Sequence, residues 1–229
     1  MNNKNPSYPV MMAKMYFFYL LIFAAVFVLA GKITYWQGWA FCGICLLFII
    51  IVSIKLADRK DFLAERLKPG PGVKWWDKIF FRLYSFLCLC LFVISVLDGG
   101  RFNWSPQLPV ITYAAGYTVM LSSYLFILWA MWTNQFFSSR VRIQSDRGQY
   151  VIQEGPYRFV RHPGYLGAIF WLPSLPLLLG SLWGLVPAGL AVIAIIIRTY
   201  LEDDMLQKEL AGYGDYAKKV RYRLIRGIW

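Results

Sequence analysis

The stretch MYFFYLLIFAAVFVLAG, residues 15–31, contains no charged side chain. A helix needs roughly 20 apolar residues to cross a hydrocarbon core of about 30 Å, so this stretch is about long enough to span a membrane. No small-residue cleavage site follows it, and we therefore expect it to be retained rather than removed as a signal peptide. The stretch predicts an integral membrane protein.

Further apolar segments repeat this pattern along the 229 residues, 59% of which are hydrophobic. We expect transmembrane helices at residues 15–31, 36–56, 79–97, 108–131, 165–180 and 183–200. Pro173 and Pro176 interrupt the fifth segment, and Gly180 and Ser181 leave a very short joint before the sixth. One helical hairpin in place of two independent spans is the alternative, with five spans in total. The predicted fold class is all-α integral membrane, with about six transmembrane helices.

The basic residues predict the orientation of these helices, because lysine and arginine favour the cytoplasmic side. If both termini are cytoplasmic, 22 of the 24 basic residues lie on that side, and only Lys32 and Arg101 lie in outer loops. A five-span arrangement would put the C-terminal basic residues outside. The charge distribution therefore favours six spans and a multi-pass protein with both termini in the cytoplasm.

Composition also bears on possible partners. The net charge of +12 is spread over segments next to the apolar runs, so we expect membrane lipids rather than nucleic acid as the partner. Cys42 and Cys45, like Cys88 and Cys90, lie in apolar segments where cysteine packs as a small hydrophobic residue. These segments lack polar supporting groups, so we expect no metal site.

Charges, aromatic residues and turn formers are concentrated after Asn134. We therefore expect an N-terminal four-helix transmembrane region at 1–131 and a catalytic region at 132–229, with two transmembrane helices and a cytoplasmic tail helix. Within the second region, VRIQSDRGQYVIQ at 141–153 alternates apolar and polar residues around a turn. That alternation predicts a short β-hairpin packed on the membrane domain.

The segment GPYRFVRHPGYLG, residues 155–167, contains the only histidine of the chain. Pro163 forces His162 away from helical conformation, so we expect a helix to begin at or just after Pro163. The free N–H groups of a helix start favour a negative or electron-rich partner, and glycines allow its close approach. The alternative is that the arginines are an ordinary positive flank and the tyrosines interfacial anchors.

A second group of polar residues follows the last apolar segment. Arg198 and Glu202 are four residues apart and share a helix face, where they can pair or jointly hold a ligand. Snorkelling of Arg198 to the membrane surface is the alternative. We expect the remaining acidic residues on solvated faces, and the basic tail from Lys218 to Arg226 at lipid headgroups. These acidic residues are Asp203, Asp204, Glu209 and Asp215.

These motifs together resemble the isoprenylcysteine carboxyl methyltransferase (ICMT) family and its bacterial relatives, and more distantly the phospholipid methyltransferases. The resemblance covers about 134–229 and rests on GPYRFVRHPGYLG, on the Arg-x3-Glu-Asp helix, and on GYGDYAKKVRYRLIRGIW at 212–229. The sequence departs from the family at Arg226, where proline is expected, and at Asp203, where a second glutamate is expected.

The resemblance implies a methyltransferase that uses S-adenosylmethionine, without metal, on a lipophilic acceptor such as an isoprenylcysteine-like carboxylate, a lipid or a thiol. It implies a cofactor pocket at the cytoplasmic end of the last helices. Glu202 would contact both cofactor and acceptor, and Arg198 would be its charged catalytic neighbour. The other cofactor-binding residues implied are Gly155, Pro156, Tyr157, His162, Pro163 and Tyr165.

Two alternatives from other classes remain. An NADPH-dependent membrane reductase of the sterol type carries a similar stretch, but it also needs an acid in the membrane-facing cavity, and the upstream segments offer few. A non-catalytic lipid-binding protein would explain the basic flanks, but it would not require His162, Arg198 and Glu202.

Overall fold

The computed structural model describes residues 8–56 and 71–229, and within these ranges the chain is helical without a β-strand. Its α-helices in chain order are α1 Tyr8–Ala30, α2 Trp36–Leu56, α3 Trp75–Val96, α4 Val110–Thr133, α5 Pro163–Leu178, α6 Leu185–Glu209 and α7 Tyr213–Lys219. A π-helical turn, Leu97–Phe102, extends α3, and two 3₁₀ turns lie at Ser145–Arg147 and Gly155–Arg158.

Five of these helices are long and apolar enough to cross a membrane, namely α1 to α4 and α6. The predicted all-α integral membrane fold is therefore confirmed. The fifth predicted segment is present as α5, whose 16 residues correspond to about 24 Å of helix. The orientation of the termini stays a prediction. It rests in part on Lys4 and on the basic residues within 59–68, which lie outside the described ranges.

Close contact between α4 and α5 depends on small residues. A Cβ atom at Gly167 would lie 2.5 Å from Cγ1 of Ile127, and one at Gly116 would lie 2.9 Å from the backbone nitrogen of Leu178. Glycines let membrane helices approach this closely. By contrast, Phe18 of α1 is 63% exposed, as expected for a side chain that faces lipid. The main core lies between the helices, and the outer faces are apolar.

Between the end of α3 and the start of α6, a buried carboxylate connects neighbouring loops. Asp98 accepts hydrogen bonds from the amide nitrogen of Ser105 at 2.7 Å, from Oγ of Ser105 at 2.6 Å and from Oγ of Ser181 at 2.6 Å. The hydroxyl of Tyr35 donates to the carbonyl oxygen of Leu179 at 2.5 Å. Three loops that were expected on the same side of the membrane are therefore in contact.

The predicted β-hairpin at 141–153 is wrong. The amide of Val141 donates to Oδ2 of Asp77 at 3.1 Å, and its carbonyl accepts from the amide of Lys74 at 3.1 Å. The amide of Gln144 is occupied by the side-chain oxygen of Gln149 at 2.6 Å. The segment forms a loop around a 3₁₀ turn, because helix α3 and local side chains take the hydrogen bonds that a second strand would need.

Candidate functional site

A cavity opens where α5 begins and where the polar end of α6 leaves the apolar core. Its empty volume is about 840 Å³, part of it open to solvent. The wall is built from the loop 134–152, the start of α5, the end of α6 and helix α7. Its polar and aromatic lining includes Asn134, Arg140, Gln149, Tyr157, His162, Tyr165, Glu202 and Tyr213. Several of the residues that the resemblance implied therefore line one cavity together with the loop that contains the predicted hairpin.

His162 is held in place from both its backbone and its ring. As predicted, α5 begins at Pro163, and His162 precedes it with non-helical dihedral angles, φ −123° and ψ 63°. Its amide donates to the carbonyl of Arg223 at 2.9 Å. Its ring stacks on that of Tyr165 with centroids 5.7 Å apart. The C-terminal segment and α5 thus fix the histidine at the cavity wall.

Asp203 is the centre of a buried hydrogen-bond network beside this histidine. Arg161 binds it with two parallel hydrogen bonds of 2.7 and 2.9 Å, and Nε2 of His162 lies 3.2 Å from Oδ1. The carboxylate also accepts from Nε of Arg223 at 2.8 Å and from the hydroxyl of Tyr213 at 2.9 Å. Two opposed arginines and a tyrosine compensate the loss of water around the carboxylate.

The expectation that Asp203 lies on a solvated face is therefore wrong, since Asp203 is fully buried. The reason is that its side chain turns towards the start of α5 and the C-terminal segment, which supply the donors. The acidic neighbours do lie at the surface, where Asp204 pairs with Lys208 and Asp215 with Lys218. Adjacent residues of α6 thus carry a buried carboxylate, Asp203, and a solvated one, Asp204.

Two tyrosines close the wall on the α7 side. Burial, followed by the nearby carboxylate of Asp203, raises the pKa of Tyr213, so its hydroxyl stays protonated at neutral pH and donates. Burial also raises the pKa of Tyr157, whose hydroxyl accepts a 3.2 Å hydrogen bond from Nδ2 of Asn134. The hydroxyl of Tyr216 donates to the carbonyl of Tyr157 at 2.7 Å. These contacts dock α7 on the 3₁₀ turn 155–158.

Arg198 and Glu202 do not form the pair that their spacing suggested. Arg198 forms an ion pair with Asp77 of α3 at 2.8 Å and donates to the carbonyl of Ser139 at 2.9 Å. Glu202 accepts a hydrogen bond from the hydroxyl of Tyr165. The guanidinium carbon of Arg198 lies 5.3 Å from the ring centroid of the same tyrosine. Tyr165 therefore connects the two residues.

The structure brings most of the implied residues to the cavity. Tyr157, His162, Pro163, Tyr165 and Glu202 line it. Gly155 and Pro156 do not; a Cβ atom at Gly155, whose φ is +55°, would lie 2.5 Å from Oγ1 of Thr133. Arg198 stands behind the wall, in contact with Tyr165.

Sequence reasoning missed three residues. Asp203 was expected on a solvated face, and an ordinary positive flank was the alternative for Arg161. Their positions within the two motifs could have indicated that they belong to the site. Asp77 lies in the apolar N-terminal half, where a single carboxylate at the start of a predicted span was the only sign.

Comparison with known proteins agrees with this arrangement. The family model described as phospholipid methyltransferase (PEMT) matches residues 111–212, which include α5 and α6. The fold is similar to that of the eukaryotic intramembrane Ras methyltransferase ICMT (isoprenylcysteine carboxyl methyltransferase), solved without a monobody. The TM-score is 0.51 at 14% sequence identity, over 97% of this chain and 88% of that one. No curated protein sequence matches. The family model thus covers the part of the chain that contains α5 and α6, and the solved structure shares the fold; both agree with the resemblance that the motifs had indicated.

Proposed function

We propose that this protein is a membrane methyltransferase, which binds S-adenosylmethionine in the cavity between α5, α6 and the loop 134–152 and methylates a lipophilic acceptor. The observation that carries the proposal is the convergence of His162, Tyr165 and Glu202 on one cavity at the polar ends of apolar helices. In this proposal the water-soluble cofactor would enter from the aqueous side and the lipophilic acceptor from the bilayer.

The lining fits the chemistry of this cofactor. S-adenosylmethionine carries two positive groups, one carboxylate and a flat base. Glu202 supplies a negative charge, Arg140 a positive one, and Tyr157 an aromatic surface. These residues would hold the cofactor without a metal ion.

Arg198 provides a second sign of a ligand. It is 8% exposed, and its Nε–H has no acceptor among the described residues. A buried donor without a partner costs free energy of about 1–3 kcal/mol, and an acceptor carboxylate would remove that cost. We propose that an anionic acceptor that passes Tyr165 and Glu202 in the cavity would reach Arg198 behind this wall and be oriented by it.

Methyl transfer from this cofactor requires mainly that the methyl group and the acceptor be aligned. The cofactor supplies a methyl group on an already activated sulfonium. The chain's own residues then align the acceptor and exclude water, and alignment of this kind accounts for up to about 7–11 kcal/mol of a barrier. A carboxylate acceptor needs no base. A thiol or an amine needs one, and Glu202 and His162 are the candidates.

Calorimetry on the purified protein tests the proposal. We expect S-adenosylmethionine to bind without a divalent ion and NADPH to show no comparable heat, and we expect turnover of a prenylated cysteine or another lipophilic acceptor. Glu202→Gln should weaken cofactor binding, and Asp204→Asn, two residues away in a surface ion pair, is the matched control. Tighter binding of NADPH, or equal affinities of the two variants, would contradict the proposal.

A further inference from the structure

A second cavity lies on the other side of the C-terminal segment. Its empty volume is about 890 Å³, part of it open to solvent. Four cations line it, together with the aromatic rings of Phe159 and Tyr222; the cations are Arg158, Lys219, Arg221 and Arg226. Among the described residues, no aspartate or glutamate lines this cavity. It therefore concentrates four positive charges around one concave space.

These cations differ from their neighbours in having no acidic partner. In the same segment Lys218 pairs with Asp215 at 2.9 Å, and Arg223 pairs with Asp203 at 2.8 Å. Within residues 8–56 and 71–229, no carboxylate lies within 4.0 Å of a basic nitrogen of the four cavity cations. Unpaired cations that surround a cavity favour an anionic ligand, and arginine is suited to phosphate oxygens.

The position of the cavity indicates where such a ligand comes from. Phe159 is 53% exposed and contacts Trp129, which is 43% exposed near the end of α4, with ring centroids 6.5 Å apart. Exposed tryptophan near the end of a transmembrane helix is typical of the headgroup level of a bilayer. The cavity thus adjoins an apolar strip that continues along the outer face of α4.

We propose that this basic cavity binds the phosphate of an anionic phospholipid whose acyl chains lie along Phe159 and Trp129. A soluble phosphate would satisfy the cations but would leave the apolar strip uncovered. A phospholipid satisfies both, because its headgroup and its chains are joined at the same level of the membrane.

The bound lipid would also act on the candidate site, through the backbone of residues 220–223, which we name the strap. The carbonyls of Val220 and Arg221 each accept from NH1 of Arg161 at 2.7 Å. The carbonyls of Tyr222 and Arg223 accept from the amides of Arg161 at 3.0 Å and His162 at 2.9 Å. A headgroup that holds Arg221, the one residue of the strap among the cavity cations, would through the strap also hold His162. This second step rests on the proposed cofactor site.

Lipid binding is measured first, without any assay of methyl transfer. The protein is placed in nanodiscs of zwitterionic lipid with a spin-labelled phosphatidylglycerol as probe. The triple variant Arg158→Gln/Lys219→Gln/Arg221→Gln should lose at least about tenfold in its preference for the anionic probe, since each basic residue near an anionic lipid contributes roughly fivefold to that preference. The matched control, Lys208→Gln/Lys218→Gln, removes two surface lysines that already have acidic partners.

The outcomes separate the lipid site from the proposed function. An unchanged preference in the triple variant, or an equal loss in the control, would overturn the lipid site. Displacement of the probe by inorganic phosphate at constant ionic strength would assign the cavity to a soluble anion instead. With the site intact, anionic lipid should tighten S-adenosylmethionine binding by the wild type and not by the triple variant. A protein that keeps the lipid preference but binds no S-adenosylmethionine supports the lipid site and refutes the proposed function.

Discussion

Replacing Asp203 with asparagine tests whether the buried network holds the candidate site together. The substitution keeps the shape of the side chain and removes its charge. Arg161, whose side chain is 5% exposed, then remains buried beside a neutral group. Loss of one partner from a buried ion pair costs about 3–5 kcal/mol of unfolding free energy. For a chain of this length, about 2–4 °C of melting temperature corresponds to each kcal/mol, so we expect a loss of about 6–20 °C.

The assay is thermal unfolding in one detergent at one fixed scan rate, with Asp204→Asn as the control. Asp204 is the next residue in the sequence, but its ion pair with Lys208 is exposed, with side chains 48% and 70% accessible. Loss of a surface pair costs about 1 kcal/mol or less, equivalent to about 4 °C or less. A loss for Asp203→Asn that equals the control would refute the reasoning.

A double variant adds a stricter test of the same network. Arg161→Gln removes the guanidinium that Asp203 neutralises, so Asp203→Asn should cost less in that background than in the wild type. Simple additivity of the two losses in melting temperature would show that the two side chains contribute independently. That result would be incompatible with the pair of short hydrogen bonds between them.

Three other predictions concern the site and the topology. Glu202→Gln and Arg198→Lys should each reduce methyl transfer at least about tenfold in protein that remains folded in detergent, because neither replacement keeps both charge and hydrogen-bond geometry; turnover near wild type would return both residues to a purely structural role. His162→Ala should weaken S-adenosylmethionine binding in calorimetry more than Arg158→Ala does, and equal affinities would count against the assignment of His162. A cysteine placed at the exposed Ser145 should react with an impermeant reagent only from the cytoplasmic side, and labelling from outside would reverse the predicted orientation.

Elements set by local chemistry could be predicted from the sequence. The start of α5 follows from the ring of Pro163, which fixes its own dihedral angle and restricts His162. The long helices follow from apolar runs of membrane-spanning length. In both cases the deciding atoms are close together along the chain.

Contacts between distant segments could not be predicted in the same way. The 141–153 segment has the alternation of a hairpin, but Asp77 and Lys74 take its hydrogen bonds, and neither is near it in sequence. Likewise, Asp203 and Asp204 are the same residue type in the same helix, and the positions of distant donors such as Arg161 and Arg223 decide which of them is buried. Pairing across the fold depends on packing that periodicity does not encode.

The ion pair between Asp77 and Arg198 also sets an order of events during synthesis. The two residues are 121 positions apart, as 198 − 77 = 121. At a synthesis rate of about 5–20 residues per second, Arg198 is made about 6–24 s after Asp77 of α3. During that interval we expect the Asp77 carboxylate to remain hydrated, because an ionised carboxylate without a partner is costly to bury. The start of α3 would then stay at the membrane surface. When α6 packs against α3, Arg198 pairs with Asp77 and the carboxylate becomes buried. The last long helix therefore completes the packing of α3.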